Sequence, residues 1–141
     1  MNDSQMNSIL CQLETPEKLN NLALINRSRK DENRFIYIVN TQSNQSLVVK
    51  CYKNNYTTIE KINGWAKLAR TFIKHNVTVP EFKKFSDGNY AILKEFKGSE
   101  YFIWVEDYLA EKTIDDLNIE YALKEDFFSQ LGNLLGKMHS N

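Results

Sequence analysis

One lysine on an otherwise apolar strand constrains this chain more than any other feature. Ser46-Leu47-Val48-Val49-Lys50-Cys51-Tyr52 has the β-branched and aromatic character of a strand. Side chains alternate faces along a strand, so Val48, Lys50 and Tyr52 share one face and Leu47, Val49 and Cys51 the other. An ammonium group in such a run costs free energy unless it reaches water or an anion. Either Lys50 stretches its stem from a sheet edge to solvent, or the fold presents it to a negatively charged ligand. The remaining segments decide between these readings.

They read as strands around one amphipathic helix. A short helix is expected over Ser4–Leu13, capped by Ser4, with Met6, Ile9, Leu10 and Leu13 on one face. Thr15-Pro16-Glu17 is a second helix-start signal. A first strand is placed over Leu22–Asn26, followed by a polar turn through Arg27–Arg34. Phe35–Val39 is a strand that pairs with the Lys50 strand through a connection at Thr41–Gln45. Thr57 or Thr58 caps a helix running to about His75. Ile62, Trp65, Ala66, Ala69, Phe72 and Ile73 fall at helical spacing and form its apolar stripe. Gly64 within that helix suggests close packing, Asn76 is a stop, and Val79-Pro80 enforces an extended exit.

Three further strands are expected, over Glu81–Phe85, Tyr90–Phe96 and Tyr101–Val105, with turns at Ser86–Asn89 and Lys97–Glu100. The Tyr101 strand is the most apolar of the set, which places it inside the sheet. A polar exit, Glu106–Thr113, leads to a helical turn at Thr113–Leu117 and a long helix over Tyr121–His139. The fold class is therefore α+β: an antiparallel sheet of about five or six strands with one packed helix, followed by a helical segment.

Composition narrows the function. Lysine plus arginine and aspartate plus glutamate both number 18 among the 141 residues, so no basic footprint for nucleic acid exists. No apolar run approaches the ~20 residues that span a bilayer, and the amino terminus lacks a signal-peptide pattern. Cys11 and Cys51 have no metal-ligand spacing, and His75 and His139 form no cluster. A cytoplasmic setting without membrane or nucleic-acid partners, and with no metal site in this chain, is the expectation.

The order of segments, with a lysine on the third strand, resembles the amino-terminal lobe of the protein-kinase-like fold. The aminoglycoside phosphotransferase and choline kinase branch is the closer match. Asn33–Val39 resembles the family's second strand, and Leu47-Val48-Val49-Lys50 its lysine strand. Phe72–Pro80 resembles the end of its helix, and Ile103–Leu109 the strand that runs into its hinge. Leu131–His139 resembles the helix that precedes its catalytic loop. The resemblance runs from about Leu22 to the end.

It implies that ATP is the cofactor. Lys50 would contact the phosphates, Val48 would roof the adenine, and Glu106, Asp107 and Tyr108 would form the hinge, backed by Trp104 or Val105. It also implies domains at 1–21 (an amino-terminal helical extension), 22–109 (the lobe) and 110–141 (the hinge exit and the start of a helical second lobe).

Four departures qualify it. The Arg27–Asn33 turn has no glycine to cradle phosphate, although Arg27, Arg29 and Lys30 stand there. The helix acid that pairs with the strand lysine is expected near Trp65 or Ala66, where none stands; Glu60 is the nearest candidate. The catalytic loop and the metal-binding aspartate have no counterpart, so Mg2+ ligands are expected only in a missing lobe. No catalytic residue is assigned, and the chain by itself is not expected to be a competent kinase. The expected function is the ATP-binding lobe of a small-molecule phosphotransferase. A missing second lobe, or a protein partner bound through the last helix, would then complete it. Phe127, Phe128 and Leu131 would be partly uncovered without that cover. The alternative is a non-enzymatic protein-interaction module that keeps the lobe's shape.

Overall fold

In the computed structural model, which describes residues 1–27, 33–54 and 57–109, a five-stranded antiparallel sheet carries one helix on each face. Helix α1 spans Asp3–Cys11 and strands β1, β2 and β3 span Leu19–Arg27, Arg34–Thr41 and Ser46–Lys53. Helix α2 spans Ile59–Lys74, and strands β4 and β5 span Ile92–Phe96 and Ser99–Asp107. The strand order is β1-β2-β3-β5-β4, so β5 is an interior strand, as its apolar sequence required. The expected helices beyond residue 110, with Phe127, Phe128 and Leu131, lie outside the described residues. So do Arg29 and Lys30, between β1 and β2 in sequence.

Alternation sorts the sheet into two unlike faces. Phe35, Tyr37 and Val39 of β2, Leu47, Val49 and Cys51 of β3, and Tyr101, Ile103 and Val105 of β5 are all buried. They form one core with Met6, Ile9 and Leu10 of α1. Helix α1 therefore roofs this face. The opposite face, with Ile36, Ile38, Val48 and Lys50, is only half-buried. Helix α2 covers part of it, where Ile62 packs in a second cluster with Trp104, Ala91, Tyr52 and Phe102.

Several local expectations are corrected. Asn2, not Ser4, caps α1: its side chain accepts from the Gln5 N–H while Gln5 returns a bond to the Asn2 N–H. Thr15-Pro16-Glu17 starts no helix. The chain there is already committed elsewhere, because Glu14 N–H bonds Lys84 C=O and Glu17 N–H bonds Leu10 C=O. The first strand begins at Leu19 rather than Leu22. Glu81–Phe85 forms isolated bridges rather than a strand: Phe82 meets Glu106 and Phe85 meets Leu13. Phe85 then turns back, its N–H bonded to Asn89 C=O, before a ladder can extend.

Helix α2 starts where expected, with Thr58 accepting from the Lys61 N–H at 3.2 Å. It ends at Lys74 with His75 as its C-cap, and Asn76 beyond it takes the left-handed conformation, φ 64°. Val77 N–H returns to Phe72 C=O and Asn76 N–H to Ile73 C=O, which completes a Schellman motif. Gly64 is exposed, and a Cβ there would meet nothing within 4 Å, so it marks no close approach. The apolar stripe is also narrower than its sequence suggests: Ile62, Ala66 and Ala69 are buried, whereas Trp65 and Ile73 each remain 39% exposed.

Candidate nucleotide-binding face

Lys50 stands in the middle of the sheet, not at its edge, because β3 is flanked by β2 and β5. Its neighbours in register are Ile36 on β2 and Trp104 on β5. Val48 lies two residues away on the same face, opposite Ile38 and Glu106. A lysine so placed cannot escape sideways. Its side chain stands on the half-buried face and is 28% exposed.

The counter-charge is Glu106. Its Oε1 lies 3.2 Å from Lys50 Nζ and accepts the Trp104 indole N–H at 2.8 Å. Glu106 is 5% exposed, so the carboxylate is withdrawn from water and depends on these two donors. The contact runs diagonally across the ladder, since Glu106 faces Val48 while Trp104 faces Lys50. Alternation places Trp104 and Glu106 on the Lys50 face and sends Val105 to the opposite core, where it is fully buried. Of the two residues expected to back the pocket, only Trp104 shares the Lys50 face.

The end of β5 is tied down on both sides. Asp107 N–H donates to Glu81 C=O at 3.0 Å and Tyr108 N–H to Ser46 C=O at 3.1 Å. The Asp107 carboxylate pairs with Lys83 at 2.9 Å, and Tyr108 is 44% exposed. Glu60 is exposed in the first turn of α2, where an acid favours the helix dipole. Lys50 and Glu106 thus come together, with Val48 beside them, and Glu60 makes no ion pair among those of the described residues. The β3–β5 register would have revealed the Lys50–Glu106 pair, but that register is not written in either strand alone.

Sequence-distant groups brace this face. Tyr90 N–H donates to Asn63 Oδ1 at 2.9 Å, and Arg70 donates to the Tyr90 hydroxyl, so α2 is pinned to the segment before β4. A separate surface cleft, lined by Leu13, Glu14, Arg70, Lys83, Lys84 and Tyr90 among others, does not include Lys50. No cluster of three or more histidine, cysteine or acidic side chains suited to a metal occurs among the described residues. No helix among them is long and apolar enough to cross a membrane.

The backbone is similar to that of a solved amicoumacin kinase, hAmiN, in complex with AMP-PNP, Ca2+ and Ami. The TM-score is 0.60 at 12% identity, over 79% of this chain and 32% of that one. The fold is a kinase-like amino-terminal lobe. At that identity the likeness establishes the fold alone, and the chain spans about a third of the kinase's length. No protein-family model matches the sequence, and a search of the curated proteins finds no match. Within the kinase-like lobe, Lys50 occupies the third of the five strands in chain order, and the half-open sheet face is the one that carries it.

Proposed function

We propose that this chain is the nucleotide-binding lobe of a kinase-like small-molecule phosphotransferase. The observation that carries the reading is Lys50: a cation on an interior strand, on the half-open face, paired with Glu106 and still 28% exposed. A point charge in that position suits phosphate oxygens. Val48 on the same face offers apolar cover for a purine. Glu106, Asp107 and Tyr108 form the hinge. Because the N–H groups of Asp107 and Tyr108 are engaged within the chain, a purine's donor edge would meet backbone carbonyls there rather than those two donors.

The same reading makes residues 110–141 the hinge exit and the first part of a helical second lobe, and 1–21 an amino-terminal helical extension, of which residues 19–21 already belong to β1. Phosphoryl transfer needs a positioned acceptor and magnesium. Both fall to residues of that second lobe, so this segment supplies the nucleotide grip and not the chemistry. ATP with Mg2+ is the ligand that the reading requires.

The test is an amide NMR titration with Mg-ATP on the wild type and on Lys50→Ala. Perturbations are expected to cluster at Val48, Lys50 and Glu106–Leu109 and to weaken in the variant. Absence of clustered perturbations at several millimolar ligand would overturn the nucleotide reading and favour a protein-interaction role for the lobe.

A further inference from the structure

Lys50 and helix α2 lie on the same side of the sheet, yet no acid of α2 pairs with the lysine. The helix carries one acid, Glu60, and it is exposed in the first turn. What joins helix to lysine is Trp104, on which α2 packs Ile62 and the Trp65 ring. Trp65 of α2 meets Trp104 edge-on, with ring centroids 5.7 Å apart at 61°. Trp104 is 2% exposed and boxed by Tyr52 at 4.7 Å and Phe82 at 6.4 Å. Its indole N–H, the only donor of that ring, is spent on Glu106 Oε1 at 2.8 Å. The same oxygen lies 3.2 Å from the Lys50 ammonium.

We propose that Glu106 is the positioning residue for Lys50, and that α2 governs it through Trp65 and Trp104. Close packing holds the Trp104 ring in one orientation, so its N–H fixes one oxygen of a carboxylate that cannot turn into water. That oxygen is the counter-charge 3.2 Å from the Lys50 ammonium, and the lysine side chain remains 28% exposed. Of Trp65, Trp104, Glu106 and Lys50, Trp65 is the most exposed, at 39%. A displacement of α2 therefore reaches the ammonium through two rings and a carboxylate. The role assigned to the lysine rests on the nucleotide reading; the relay itself is a property of the apo lobe.

The experiment uses Trp65→Ala, Trp65→Phe, Glu106→Gln and the Trp65→Ala/Glu106→Gln double variant. Two resonances report the relay without ligand: the Trp104 indole N–H and the Lys50 side-chain ammonium. Trp65→Ala is expected to move both, and Trp65→Phe, which restores a ring, to return them toward wild type. With ligand, Trp65→Ala is expected to weaken Mg-ATP binding by about threefold or more and to leave adenosine, which lacks phosphates, unchanged. In the Glu106→Gln background the same substitution is expected to cost nothing further, since coupled residues are not additive.

Unmoved resonances in Trp65→Ala would overturn the relay. So would equal weakening of Mg-ATP and adenosine, which signals general loosening, or additive effects in the double variant. If the wild type binds no Mg-ATP, the nucleotide reading fails and the two resonances alone decide the relay. If Glu106→Gln does not fold, the Trp65 variants carry the test.

Discussion

Replacing Ile9 by alanine asks whether α1 is an ornament on the lobe or a wall of it. Ile9 has no solvent exposure and shares a core with residues of β2, β3 and β5. The substitution deletes three side-chain carbons. At ~0.8 kcal/mol for each buried carbon, the transfer loss is about 2.4 kcal/mol. The cavity term adds to it, because the sheet beneath is fixed by its ladders and cannot follow the retreating side chain. A cost of about 3 kcal/mol results, a large part of the stability of a lobe this size. In urea, with a slope of roughly 1.5 kcal/mol/M, the midpoint should fall by about 2 M. Cys11→Ala on the exposed side of the same helix should leave it within about 0.3 M. A loss below about 1 kcal/mol at Ile9 would refute the reasoning: α1 would then be loosely docked, and the sheet face beneath it able to collapse or to tolerate water.

Two other predictions rest on single features of the fold. Gly98→Ala should destabilise the lobe by about 1 kcal/mol by thermal melting, because Gly98 has φ of +76° and follows Lys97 at +52° in a two-residue turn of the type that requires positive φ at both positions; an unchanged melting temperature would sink this account. Burial pushes the Cys51 thiol up to about 12 from 9.0, and burial first, then the neighbouring Cys51 and Tyr101, raises the Tyr37 phenol to about 12 from 10.0. In both cases the folded state holds its proton more tightly than the unfolded state, so stability is intact below pH 9 and falls as pH rises from about 9 toward 12. A pH series of urea midpoints checks the sign, and thiol labelling should modify exposed Cys11 rapidly and Cys51 only on unfolding.

Features set by adjacent residues were legible in the sequence, and features set by register were not. The strand character of Leu47–Tyr52, the Thr58 cap and the Asn76 stop each depend on a few neighbours, and each appears where the pattern puts it. The α1 cap slipped by two residues because Asn2 and Ser4 are both good caps, and only the returning Gln5 side chain selects Asn2. Thr15-Pro16-Glu17 carries the local start signal of a helix, but the bonds that Glu14 and Glu17 make to Lys84 and Leu10 are non-local and prevail. The Glu81–Phe85 segment has strand composition, yet it pairs only through two isolated bridges to different partners, Phe82 to Glu106 and Phe85 to Leu13. At the site, Lys50 announced itself by being the wrong residue for an apolar strand. Its partner did not, since Glu106 reads as an ordinary polar strand end until the offset that puts Trp104 opposite Lys50 is known.

That offset also explains why the two faces of one sheet do different things. The period of two that buries Val49, Cys51, Ile103 and Val105 under α1 necessarily sends Val48, Lys50, Trp104 and Glu106 to the other side. Had α2 covered the whole of that side, the lysine would have been a buried charge, stable only while its one acid held. Instead α2 packs over the β5 end, through Ile62 and Trp104, and leaves the β2–β3 stretch around Ile36, Ile38 and Val48 half-buried. Apolar surface beside a held cation is costly to leave in water and gains from a ligand that is flat and apolar at one end and anionic at the other. A one-residue shift in the β3–β5 pairing would put Lys50 opposite a side chain of the other face and dissolve the Trp104–Glu106–Lys50 contact. The buried Val49, Cys51 and Val105 forbid that shift, because it would expose them. The hydrophobic core on one face therefore fixes the electrostatics of the other.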